Sequence, residues 1–126
     1  MSMRTPLGRV RGLGSAKSGT EHWWLQRVTA ISNIPLVIFL VIFVIRHLGA
    51  SRAEIVASIA NPFVAILLAL TFVSVLWHMR LGLQVVIEDY VHGHVAKFAA
   101  LLANSFVTVL LGVAALYAIL KMSFGL

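Results

Sequence analysis

The sequence predicts an all-α integral membrane protein with three transmembrane helices, and three observations predict it. Hydrophobic residues make up 60% of the 126 positions and charged residues only 11%, where a soluble domain usually carries about 25% charged residues. Three windows, 28–45, 55–77 and 98–120, contain no Asp, Glu, Lys or Arg, and a bilayer-spanning helix needs about 20 mainly apolar residues. The segments between the windows are short and hold neither a soluble domain nor an internal repeat.

Residues 1–20, "MSMRTPLGRVRGLGSAKSGT", carry Gly and Ser throughout with no helical periodicity, and read as a flexible basic tail. The membrane-anchor domain then occupies 21–122. It opens on "EHWWLQR", where paired tryptophans beside charged groups form an interfacial aromatic belt that lies along the membrane surface. The first helix is expected over about 28–48, past Arg46 and His47, which can snorkel to the interface. Pro35 falls inside it, and neighbouring helices can compensate for a break there. A short link, "GASRAEIVASIANP", ends in an Asn61-Pro62 start signal for the second helix, expected over 60–90. The link "DYVHGHVAK" leads to the third helix over 97–121 and a minimal tail. The first apolar run is longer than the core of a cleaved signal peptide, and the basic stretch before it reads as a tail rather than a transit peptide.

Net charge is +6, yet the basic residues are dispersed around membrane segments, which argues for topology and against nucleic acid. Arg4, Arg9, Arg11 and Lys17 crowd the N-terminal tail, Arg46 and Arg52 flank the first link, and Lys121 stands alone at the C-terminus. This bias places the N-terminus and second link in the cytoplasm. A bacterial inner membrane is the expected location, ahead of a mitochondrial one. There are no cysteines, so the chain brings no disulfide and no iron–sulfur ligand of its own.

The chemistry concentrates in "WHMRLGLQVVIEDYVHGH", from Trp77 to His94. At 100° per residue, His78, Gly82, Val85 and Asp89 share one stripe. His78 stands roughly 18 Å above Tyr90 along the axis, which buries it at membrane depth and leaves Asp89-Tyr90 near the cytoplasmic interface. Ionisable groups at that depth usually mark a site. A glycine one turn after the histidine leaves room for a flat bulky group such as a haem; hydrogen bonding to a neighbouring helix is the alternative. Arg80 is either functional or snorkelling, and Asp89-Tyr90 could be an ordinary helix end, although an acid at a helix C-terminus opposes the dipole. His22, His47, His92 and His94 lie in links or at interfaces, and His92 with His94 is a weak metal candidate.

The pattern His78-x-x-x-Gly82-x6-Asp89-Tyr90, preceded by "SGTEHWWLQRVTAI" with its Arg27-x-Thr29-Ala30 element, resembles the smaller membrane-anchor subunits of succinate dehydrogenase, respiratory complex II. The resemblance covers approximately residues 18 to 122. It implies a haem-binding bundle shared with a second, cytochrome b anchor subunit, in which His78 is one axial ligand to haem b and the partner supplies the other. It implies that Tyr90 hydrogen-bonds a carbonyl oxygen of ubiquinone, with Asp89 as companion acid. Arg27 and Arg80 are candidates for haem propionates or the quinone. FAD and iron–sulfur clusters would belong to the flavoprotein and iron–sulfur subunits, so succinate would not meet this chain. The alternatives are a quinol:fumarate reductase anchor and a small membrane transport or assembly protein. A small transporter normally needs an acid within the membrane, whereas Glu21, Glu54, Glu88 and Asp89 all lie at segment ends.

Overall fold

The computed structural model describes residues 5–12, 14 and 19–125. Much of the segment expected to be a flexible tail lies outside these residues, including Arg4 and Lys17. Within the described part, α1 (Pro6–Val10) is a short helix. Thr5 caps it by accepting from the Gly8 N–H at 3.1 Å, and proline at the first helical position already has the dihedral the helix needs.

Three long helices follow: α2 (Gly19–Arg46), α4 (Pro62–Tyr90) and α5 (His94–Ser123), each long and apolar enough to cross a membrane. The expected interfacial segment 21–27 is the first part of α2 rather than a separate surface piece. The helix continues through Pro35, whose missing N–H removes a single intrahelical bond. Asn61 caps α4 through its Oδ1, which accepts from the Phe63 N–H at 3.0 Å, with Pro62 again at the first position.

The link between α2 and α4 contains a helix that the pattern of apolar windows missed, α3 (Arg52–Ile59). Its start is a capping box. The Ser51 N–H and hydroxyl donate to Glu54 Oε2 at 2.7 and 2.8 Å, and the Glu54 N–H donates back to Ser51 Oγ at 3.4 Å. Hydrogen bonds from the Ser51 backbone, then from its side chain, hold the Glu54 carboxyl below the usual carboxylate range, and nearby His47 lowers it further. A depressed folded pKa means that the cap's contribution is complete above the ordinary carboxylate value and disappears as pH falls through the lowered one. Amide protection factors over α3 should therefore decline under acid in the native chain, and Glu54→Ala, which removes the acceptor, should give low protection at every pH. Protection indifferent to both would remove this role for the cap.

Packing is organised around α4. It contacts both α2 and α5, while among the described residues α2 and α5 do not pack on each other; α3 rests on α4 and α5. The long helices thus form a layer rather than a closed bundle. Ile59, Leu68 and Ile119 are buried at the α3 end, with Phe39, Leu40 and Phe43 of α2 packed against them. Elsewhere large apolar side chains face outward, among them Ile31, Ile34, Phe106 and Leu110. Such exposure is costly in water and ordinary against lipid or a partner helix. Between helices, polar contacts serve as links: the Ser74 hydroxyl donates to Asn33 Oδ1 at 2.7 Å, and Asn104 Nδ2 donates to the Arg80 carbonyl at 3.0 Å.

Candidate functional site

His78 lies half-buried in α4, and α2 sets its orientation. Thr29 Oγ1 donates to the Leu25 carbonyl at 2.8 Å, one turn back along α2. The same oxygen pairs with His78 Nδ1 at 3.0 Å, and with the hydroxyl proton on the carbonyl it is free to accept from the ring. This pairing suits the tautomer with the proton on Nδ1 and the lone pair on Nε2. A histidine that ligates a metal through one nitrogen usually donates from the other to such an acceptor, which fixes the ring. One turn on, a Cβ at Gly82 would meet nothing within 4 Å, so this face of α4 is open beside the imidazole.

The C-terminal end of α4 presents a different surface. Asp89 is exposed, and Tyr90, the last helical residue, is 77% exposed. Neighbouring groups are occupied in holding the helix end. Lys97 Nζ donates to the Glu88 carbonyl at 2.8 Å, supplying a cation where the dipole favours one. Gln84 Nε2 donates to Glu88 Oε1 at 2.8 Å, and His92 Nδ1–H to the Tyr90 carbonyl at 2.9 Å. The Tyr90 side chain therefore stands outward on an anchored helix end.

The two nominated arginines occupy other faces. Arg80 follows His78 by two residues, about 200° round the helix. Its guanidinium lies 5.6 Å from the Trp77 ring centroid and donates to Ser105 Oγ of α5 at 3.4 Å. Arg27 precedes Thr29 by the same two residues; it is exposed, with its guanidinium 5.2 Å from the Trp23 ring centroid. Neither shares the face that joins Thr29 to His78.

His22, given little weight in the sequence, does share it. It lies seven residues before Thr29, two turns along the same stripe of α2, in a cavity with Gly19, Gln84, Val85 and Glu88. Its Nε2 is buried with no hydrogen-bond partner among the described residues. A buried polar atom left unpaired carries a desolvation cost and asks for an explanation. The seven-residue spacing from Thr29 was the available signal, but Thr29 had no recognised role until α2 was docked on α4.

Comparison with known proteins decides the family. Residues 1–112 match the sequence profile of the succinate dehydrogenase/fumarate reductase transmembrane subunits. The chain belongs to this family. It is 33% identical over 121 residues to a succinate dehydrogenase hydrophobic membrane anchor subunit of Paracoccus denitrificans, covering 96% of this chain and 93% of the relative. It is 32% identical over 116 residues to the anchor subunit so named in Rickettsia bellii, covering 92% and 93%. A succinate dehydrogenase membrane anchor subunit of Reclinomonas americana is 36% identical over 88 residues, or 68% and 73%. No solved structure matches the chain. The family is transmembrane, in agreement with the three apolar helices, and the role these relatives' names carry is that of a membrane anchor. That assignment displaces the transport and assembly alternatives.

Proposed function

We propose that this anchor serves a succinate:quinone oxidoreductase of the bacterial inner membrane. On this reading it docks the flavoprotein and iron–sulfur subunits, offers His78 as one axial ligand to a haem b shared with a second anchor subunit, and contributes Tyr90 and Asp89 to ubiquinone reduction. The observation that carries the reading is the setting of His78: Nδ1 is paired with Thr29, no hydrogen bond to Nε2 occurs among the described residues, and space is open beside Gly82. A bound haem would supply one-electron redox chemistry at that depth. His22, whose buried Nε2 has no partner among the described residues, is the donor we assign to a haem propionate. Arg27, stacked on Trp23, and Arg80, held by Trp77 and Ser105, stay as candidates for the propionates or the quinone.

At the quinone end the chemistry belongs to the side chains. A quinone accepting electrons gains negative charge on its carbonyl oxygens, and the Tyr90 phenol donates a hydrogen bond where that charge develops. Asp89, adjacent and exposed, orients the phenol or passes protons from solvent. The distance between the two positions, roughly 18 Å along α4, separates the haem ligand from the proton chemistry. The same parts would serve a quinol:fumarate reductase, because direction depends on cofactor potentials and the quinone used.

Purification through a tag on this chain tests the reading directly. The flavoprotein and iron–sulfur subunits should accompany it, with a b-type signal in the reduced-minus-oxidised spectrum. Thr29→Val should keep the fold but weaken haem retention by about 10–100-fold, the usual effect of removing a ligand's hydrogen-bond partner. Thr29→Ser should restore it. Absence of the soluble subunits and of the haem signal would overturn the proposal, and haem retention unchanged in Thr29→Val would remove the role of Thr29.

A further inference from the structure

At the opposite end of the layer from Tyr90, α2, α3 and α4 enclose a cavity of ≈ 250 Å³. Phe39, Ile42, Phe43 and Arg46 of α2 follow one another at the i, i+3, i+4, i+7 spacing of a single helix face, and Val64 of α4 completes the apolar wall. The polar groups gather at the mouth. His47 is fully used there: Nδ1–H donates to the Phe43 carbonyl at 2.7 Å, Nε2 pairs with Ser58 Oγ of α3 at 2.7 Å, and its ring lies 4.3 Å from that of Phe43. Arg46 is exposed at the last residue of α2, where the helix leaves the apolar stretch. Glu54, the acid in this link, is already committed to Ser51.

The layout has a polarity. A cation stands at the membrane boundary, and from it an apolar shaft runs about 10 Å deeper, the rise of the seven residues from Arg46 back to Phe39. Its two ends differ in chemistry as the two ends of a lipid do. We propose that this cavity is a binding site for a phospholipid of the leaflet on the α3 side, with Arg46 donating to the phosphate and one acyl chain lying along Phe39, Ile42 and Phe43. Charge complementarity selects this occupant over a purely apolar helix, which would leave the guanidinium unanswered at the interface. A guanidinium presents its donors in a fixed fork that matches phosphate oxygens. The bound chain would cover the seam at which the His47–Ser58 hydrogen bond ties α3 to α2.

The test uses the whole complex in native membranes. A photoreactive benzoylphenylalanine replaces Ile42, which is 50% exposed at the cavity, and in a second preparation Val109, 62% exposed on α5. After irradiation, mass spectrometry should find a phospholipid adduct at position 42. In the Arg46→Gln background its yield should fall about tenfold, the effect of losing one charge-assisted hydrogen bond to the phosphate, while the yield at position 109 stays level. Arg46→Lys should recover most of it, because the charge is kept. A cross-link from position 42 to another subunit would show a protein occupant and overturn the proposal. So would a lipid adduct whose yield ignores Arg46, which would mean bulk lipid only. Co-purification of the soluble subunits shows that each variant complex is assembled.

Discussion

His78→Ala should remove the b-type haem signal from the purified complex. A protein-bound haem iron draws much of its affinity from its axial ligands, and on the proposed reading His78 Nε2 is the ligand this chain supplies. His47, at the far end of α2, has both ring nitrogens engaged, and His92 and His94 lie beyond the end of α4. His22 lies near the start of α2, outside its apolar stretch, whereas His78 combines a place within the apolar stretch of α4, an Nδ1 paired with Thr29 and an open neighbouring face. Alanine also leaves Thr29 without its cross-helix partner, a loss of about 0.6 kcal/mol by the average for polar contacts in membranes, small enough for the layer to persist. The expected result is therefore a complex that still carries its flavin and iron–sulfur subunits and shows no b-type absorbance, or a strongly altered one. An unaltered spectrum from that intact complex would end the ligand assignment.

Tyr90→Phe should separate two activities of the complex. Succinate oxidation with an artificial acceptor at the soluble subunits should be unchanged, while ubiquinone reduction should fall tenfold to a hundredfold. The magnitude follows from the loss of one hydrogen bond to a group gaining charge, about 1.5–3 kcal/mol. Stability should hardly move. The side chain is 77% exposed at the terminal residue of α4, and the helix end is secured independently by Lys97 and by the Gln84–Glu88 pair. Phenylalanine keeps the ring and removes only the donor, so a loss of quinone reduction reports on the hydroxyl. Equal quinone turnover in both proteins would place the quinone elsewhere. Asp89→Asn provides the companion measurement: a shift in the pH profile of quinone reduction would assign proton transfer to Asp89, and an unchanged profile would leave it only an orienting part.

Much of the molecule was legible before any helix was packed. The charge-free windows located the three spans, because the bilayer requires each to be apolar by itself, whatever its neighbours. The 3.6-residue period put His78, Gly82 and Asp89 on one stripe for the same reason: it is a property of a single helix. Even α3 was written locally, in the Ser51-x-x-Glu54 spacing of a capping box, although a search for membrane spans passed over it.

The rest depended on which helix lies against which. Thr29 and His78 are 49 positions apart, and nothing in either helix alone names the other. The same docking gave His22 its place beside α4, turned Arg80 toward Ser105 and away from the His78 face, made α4 the middle of an open layer, and closed the cavity below Arg46. The physical reason is that lipid tails are as apolar as leucine, so hydrophobicity marks a helix as membrane-embedded without choosing its neighbour. That choice falls to close packing and a few polar contacts, which exist only once the helices have met.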